Sequence, residues 1–266
     1  MTNPFKFGET VRGDCFANRK KEIKDIREHV KAGQNLFIYS YRRQGKTSLI
    51  KNVFETLTKH KEALTIYVDI QKATSQAQFI EVYSSSISKA LISKKENLEK
   101  ISSFFRRIVP SFEIDQTGVW KISFDFSKTK SNLEKTMEEV FEIPQKIASS
   151  HKKRVVVVFD EFQEIENLNG KSLEKKIRSF IQHHNDVCYI FMGSKTHIIM
   201  DMFNNPERAF YKSAAVYPLN LINENEMENF VINRFSSSGK AISKNLAAEI
   251  VKLADNIPYN IQLLSF

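Results

Sequence analysis

Cysteine is nearly absent: Cys15 and Cys188 are the only two, with neither a disulfide framework nor metal-ligand spacing. Long apolar runs are missing as well. Stretches such as Val155–Phe159 are strand-sized, far below the ~18 residues a membrane helix needs. The opening residues, MTNPFKFGETVRGD, lack the apolar core of a secretory signal. No block of about five like charges occurs, and there is no internal repeat or low-complexity segment. These absences argue against a disulfide-stapled secreted domain, a helical membrane protein and a charged tail. The expectation is a soluble chain in a reducing, cytoplasmic setting, with no membrane partner.

What is present favours a globular α/β protein. Apolar residues make up 41% of the 266, with 21 Phe among them, so a sizeable core can be buried. Forty Lys and Arg against 31 Asp and Glu leave a net charge of +9. A basic excess attracts polyanions, although a solvated lysine-rich surface is the plainer reading and the favoured one.

Strand and helix patterns alternate along most of the chain. Apolar strand text appears at 36–39, 64–70, 154–161, 187–193 and 214–221, separated by helical patterns near 46–60, 76–94, 131–149, 172–183 and 197–203. That alternation predicts a parallel sheet covered on both faces. Residues 95–130 read as an insertion made of a helix and a short β-ribbon. From residue 223 the text is helical only, giving an expected division into an α/β domain over 1–222 and a small helical lid over 223–266. The chain stops inside an apolar helical pattern (Ile261, Leu263, Leu264, Phe266), which suits a helix packed back on the core or a chain that continues.

Three Gly-Lys pairs occur, and only one stands in a phosphate-binding context. Gly45-Lys46-Thr47 follows an apolar strand and opens an amphipathic helix, as the motif G-x-x-x-x-G-K-[ST] requires. Gly170-Lys171-Ser172 follows no strand, and Gly239-Lys240-Ala241 lacks the hydroxyl. The first glycine of the motif is Ser40 here, tolerable if its φ is negative. A loop of this type turns backbone N–H groups inward, and the helix N-terminus adds a positive dipole end. Lys46 is expected at the β/γ-phosphates and the Thr47 hydroxyl on Mg²⁺. Arg42, Arg43, Gln44, Gly45 and Ser48 complete the predicted nucleotide-binding stretch, with both arginines adding positive charge where a triphosphate sits.

The second half of the predicted site is Arg154-Val-Val-Val-Val-Phe-Asp160-Glu161. A buried strand delivers Asp160 at its carboxyl end, where it can hold Mg²⁺, and Glu161 is the candidate general base for water. Ser194, at the tip of a later strand, is the candidate polar sensor of the γ-phosphate or the water. Helix N-capping is its bland alternative.

The segments FANRKKE, YSYRRQGKTSLI, VVVVFDEFQEI, FMGSKTHIIMDMF and ADNIPYNIQLL resemble the archaeal-type ATPases of the STAND-like branch of the AAA+ P-loop superfamily. The resemblance implies a sheet of order 5-1-4-3-2 followed by a helical lid. It also implies ATP and Mg²⁺ as ligands, Phe16 and Arg19 in a base-binding strip, and Pro258 in a lid motif near the base. Asn256 stands where that motif has glycine. Many such relatives continue into a further domain.

Lesser candidates each have a plain alternative. Arg208 reads as an arginine finger or, more simply, a surface arginine. Trp120, Phe124 and Phe126 read as a partner-binding ribbon or as core, and His183-His184 as a helix end. Asp69 reads as a second carboxylate near the site or a turn residue. Two functional readings follow: a Mg²⁺-dependent ATPase acting as a conformational switch, and a nucleotide-gated module binding DNA or protein with little hydrolysis. The sequence leaves the oligomeric state open.

Overall fold

A computed structural model describes residues 3–93, 101, 103–105, 111–114, 120–123, 130–194 and 197–266. In chain order, helix α1 (Lys20–Ala32) leads to strand β1 (Leu36–Ser40), α2 (Lys46–Lys59), β2 (Ala63–Asp69) and α3 (Gln76–Ser93). Then come β3 (Ser111–Ile114), β4 (Trp120–Ser123), α4 (Lys130–His151), β5 (Arg154–Asp160) and a 3-10 helix (Phe162–Leu168). Helix α5 (Gly170–Ile181), β6 (Val187–Ser194), α6 (His197–Asn204) and β7 (Ala215–Pro218) complete the sheet region. Helices α7 (Glu224–Ser237), α8 (Lys244–Leu253) and α9 (Pro258–Ser265) follow.

Five strands form one parallel sheet in the order β2-β5-β6-β1-β7. Counting only these five along the chain, that is the 5-1-4-3-2 order expected from the resemblance. The sequence pattern explains which strands lie inside. β5 and β6 are apolar almost throughout and buried along their length, whereas the outer strands β2 and β7 alternate. In register, Asp69 lies beside Asp160, so two acids end adjacent strands.

The predicted insertion contains a ribbon: β3 and β4 pair antiparallel, Ser111 with Ser123 through Ile114 with Trp120. The Trp120 side chain, and Phe124 and Phe126 altogether, lie outside the described residues.

The chain divides into two compact units. One comprises residues 29–37 and 57–216, and the phenylalanines concentrate in its core. Phe159, Phe162, Phe191, Phe203 and Phe210 are buried and mutually packed, with ring centroids 4.7 Å apart for Phe162–Phe191 and 5.0 Å for Phe162–Phe210. Such pairs add roughly 0.5–1.5 kcal/mol each beyond their burial. They fix the backbone that follows β5, which carries the candidate acids.

The other unit comprises residues 1–28, 38–56 and 217–266, and so holds the glycine-lysine loop together with α7–α9. Its core joins Ala17 and Ile222 to Met227, Val231, Ala247, Val251, Ala254 and Ile261. Local signals explain the helix starts: the Asn223 and Ser243 side chains accept from Asn225 N and Leu246 N, and Pro258 opens α9. The lead-in is anchored rather than loose. Phe5 is buried against Phe235, and the Gln262 amide accepts from Lys6 N at 2.9 Å while donating to Cys15 O at 3.0 Å.

Candidate functional site

The loop between β1 and α2 has the backbone its motif demands. Gly45 sits at φ +84, which an L-residue rarely adopts, and a β-carbon there would meet no atom within 4 Å. The constraint at Gly45 is therefore conformational, and the space above it is open to a ligand. Ser40 takes no positive φ, so the substitution of the motif's first glycine costs no backbone strain. Its hydroxyl donates to Tyr41 O at 2.9 Å. The positive φ that the loop needs elsewhere falls on Arg43, at +67.

The helix start is suited to an anion. The first hydrogen bond of α2 runs from Leu49 N to Gly45 O at 2.9 Å, and no acidic residue lies in its first turn. Lys46, Gln44 and Ser48 are buried, while Arg42 and Arg43 are exposed. Thr47 is half-buried at the helix mouth. The Ser48 hydroxyl is engaged with the lead-in: it accepts from Val11 N at 3.2 Å, and Asn52 Nδ2 donates to Val11 O at 3.1 Å.

Arg19 reaches this loop directly, and Pro258 stands beside a residue that does. Arg19, buried and at φ +63, donates to Gln44 O at 3.4 Å and pairs with Glu22 at 2.7 Å. Phe16 is half-buried where a 3-10 turn ends, three residues before it. Pro258 opens α9, and the next residue, Tyr259, lies under the Arg43 guanidinium, 4.8 Å from ring centroid to Cζ. That cation–π contact ties the phosphate loop to the last helix. Asn256 takes φ +53, the left-handed conformation that glycine would supply, and its Nδ2 donates to Ile222 O at 2.7 Å. Asparagine is among the side chains that tolerate this region best, so the departure from glycine preserves the turn.

The acidic residues sit in the other unit. Asp160 is buried at the end of β5, with Oδ1 accepting from Glu161 N at 3.0 Å and Oδ2 accepting from the Tyr67 hydroxyl. Glu161 is half-buried at φ 53, ψ 48, an uncommon conformation for a non-glycine residue and one found at functional sites. Gln163 Nε2 donates to Glu161 Oε2 at 2.5 Å. Ser194 is buried, and its hydroxyl has no hydrogen-bond partner among the described residues. It ends β6 as expected.

Tyr67 and Gln163 were not among the residues singled out from the sequence. Tyr67 is two residues before the Asp69 strand end, and its relation to Asp160 depends on strand register. Gln163 stands in the Asp-Glu-Phe-Gln segment, but its grip on Glu161 requires the turn at φ 53. Asp69 pairs with Lys72 at 3.3 Å.

Arg208 departs from both sequence expectations. It is neither at the surface nor extended toward a neighbour. Its guanidinium is buried, binds Glu174, and reaches Glu166 at 2.5 Å and Asp201 at 2.9 Å. Burial pushes the Glu174 carboxyl above its ordinary range, with the Arg208 hydrogen bond pulling against it. This is a structural strut inside one unit. His184 is likewise committed internally, with Nδ1 2.7 Å from the Tyr189 hydroxyl and Nε2 3.2 Å from Glu142.

The donor chemistry fits the expected ligands. Thr47 and Asp160 carry hard oxygen atoms of the kind Mg²⁺ selects. The open space over Gly45, the buried Lys46 and the acid-free helix start suit a phosphate chain. Among the described residues no helix is long and apolar enough to cross a membrane.

A family model described as an ATPase domain predominantly from Archaea matches residues 16–264. Two uncharacterized ATP-binding proteins of Methanocaldococcus jannaschii are similar, at 24% identity over 206 residues and 25% over 202. Each match covers 71% of this chain, and the chain spans about half the length of these relatives, 53% and 55%. Among solved structures, a Walker-type ATPase of Pyrococcus abyssi superposes with a TM-score of 0.69 at 17% identity, over 98% of this chain and 70% of that one. The Aeropyrum pernix ORC1 protein in complex with DNA gives 0.59 at 14%, over 95% and 60%. At these identities the solved structures establish the fold alone, a five-stranded parallel sheet with flanking helices.

Proposed function

The chain belongs to the family of ATPase domains found predominantly in Archaea, and on that premise we propose that it is a Mg²⁺-dependent ATPase working as a conformational switch. The observation that carries the reading is the loop at 40–47: Gly45 at φ +84 with open space above it, a buried Lys46, and an α2 start free of acids.

In this reading Lys46 and the first N–H groups of α2 hold the phosphates, and Arg42 and Arg43 add charge from the rim. Phe16, Arg19 and Pro258 border the base. Thr47 and Asp160 each supply, on the chemistry of its own motif, an oxygen of the kind that holds Mg²⁺. Bound Mg²⁺ supplies neutralisation of charge on the phosphate oxygens. Tyr67 orients the Asp160 carboxylate. Glu161 accepts a proton from the attacking water, and Ser194 contributes a hydroxyl. The switch rests on Arg43. Drawn toward a phosphate, it leaves Tyr259, so nucleotide state is transmitted to α9.

The test is Glu161→Gln. It should keep ATP affinity and lose roughly 10²–10⁴-fold in phosphate release. A variant that hydrolyses like wild type would remove Glu161 from the chemistry.

A second reading, a nucleotide-gated DNA- or protein-binding module, draws on the +9 charge and on the DNA-bound ORC1 relative. A gel-retardation series across salt concentrations decides its DNA version: no retardation even at low salt eliminates it.

A further inference from the structure

Gln163 uses only half of its hydrogen-bonding capacity. Its Nε2 donates to Glu161 Oε2, and the orientation of the amide is set by chemistry, because a carboxylate can only accept. That leaves Oε1 as the free end. Oε1 is buried and has no hydrogen-bond partner among the described residues. A buried acceptor without a donor is costly, and an apolar side chain of the same length would avoid that cost.

Two further features keep this arrangement in place. Phe162, wholly buried among the rings of its unit, separates Glu161 from Gln163 and pins the turn between them. Gly193, immediately before Ser194, leaves room for the amide. A β-carbon at Gly193 would fall 2.3 Å from Gln163 Oε1 and 2.2 Å from Ile199 Cδ1. Only glycine fits at this point of β6 without displacing Gln163. The residue beyond it, Ser194, carries a second buried hydroxyl without a partner.

We propose that Gln163 is the positioning residue for ATP hydrolysis. Its amide N–H fixes the Glu161 carboxylate, its amide oxygen accepts a hydrogen bond from the attacking water, and the Ser194 hydroxyl donates one to that water. Glu161 receives one water proton, and the second water hydrogen is held by Gln163 Oε1. This idle oxygen has the polarity such a water requires, since an acceptor beside the base directs the water's lone pair away from both. The inference rests on the assignment of Glu161 as general base and adds to it how that base is aimed.

The experiment measures phosphate release and calorimetric ATP affinity on the same preparations of wild type, Gln163→Met, Gln163→Glu and Gly193→Ala. Gln163→Met keeps the length and removes both amide groups. Gln163→Glu keeps the shape but sets a like charge beside Glu161. Both should lose roughly 10–10²-fold in kcat, with KM and ATP affinity within about twofold of wild type. Gly193→Ala touches neither acid, and should lower kcat in the same selective way by displacing the amide. A Gln163→Met enzyme with wild-type kcat overturns the proposal, as does a loss that falls equally on affinity. Should Gln163→Met not fold, Gln163→Glu and Gly193→Ala decide on the same criteria. Wild-type protein that binds ATP but releases no phosphate refutes the ATPase reading itself, and the positioning role with it.

Discussion

Arg208→Ala separates a strut from a catalytic finger. The Arg208 side chain is 5% exposed, and its partners differ widely: Glu174 is 1% exposed, Glu166 30% and Asp201 39%. The two more open pairs are worth little, at most about 1 kcal/mol each. Glu174 decides the outcome, because removing the guanidinium leaves a carboxylate in the interior with no cation beside it. Breaking a buried pair from one side costs about 3–5 kcal/mol. For a chain of this size each kcal/mol lowers Tm by about 2–4 °C, so a fall of roughly 6–20 °C is expected. Removing both charges, as in Arg208→Met with Glu174→Leu, should recover much of that loss, since the uncompensated acid is gone. Urea denaturation of the two variants, with phosphate release measured well below their melting points, checks both statements. Wild-type stability in Arg208→Ala combined with a selective loss of turnover would refute the strut and restore the finger.

Three further predictions follow from the geometry. Glu161→Gln should retain ATP and lose most phosphate release, as set out above. Asn256→Val forces a β-branched residue into φ +53 and removes the bond to Ile222 O, so it should destabilise by roughly 2–4 kcal/mol. Asn256→Gly, which loses only the bond, should cost about 1 kcal/mol, and equal denaturation midpoints for the two would contradict the backbone argument. Burial lowers the His184 pKa below its ordinary value of 6.5, more than Glu142 raises it. The unfolded chain then binds the extra proton first, so the His184 contribution is complete above about pH 6.5 and is lost as pH falls toward the folded value. Melting curves between about pH 5 and 8 should show this decline in wild type and a smaller one in His184→Gln.

The sheet was legible because its inner strands leave no ambiguity. Val155–Phe159 is apolar at every position, and its short β-branched run of valines suits a strand covered on both faces rather than a helix. The glycine-lysine loop was equally plain, since it alone had a strand before it and a helix after it. The turn at Asn256 was half legible: Asp255 and Asn256 are both side chains that accept a left-handed backbone, yet the bond to Ile222 O links positions 34 residues apart. Contacts that depend on register or on a turn left no local trace. Tyr67 meets Asp160 only because β2 and β5 pair as they do, and Gln163 meets Glu161 only because the backbone at Glu161 turns left-handed before the 3-10 helix. Arg208 misled most. Within Asn205-Pro-Glu-Arg-Ala-Phe-Tyr-Lys-Ser213 it looks solvated, and its three carboxylates come from residues 166, 174 and 201, none of which the local text announces.

Calorimetric titration of ATP and magnesium into wild type and Lys46→Ala tests the central claim most directly. Wild type should give a saturable heat, and at ~100 times Kd the ligand should add ~2.7 kcal/mol to its stability. Lys46→Ala, folded to the same extent, should give little or none of either. Well-folded wild-type protein that shows no heat with any nucleoside triphosphate and magnesium would contradict the account.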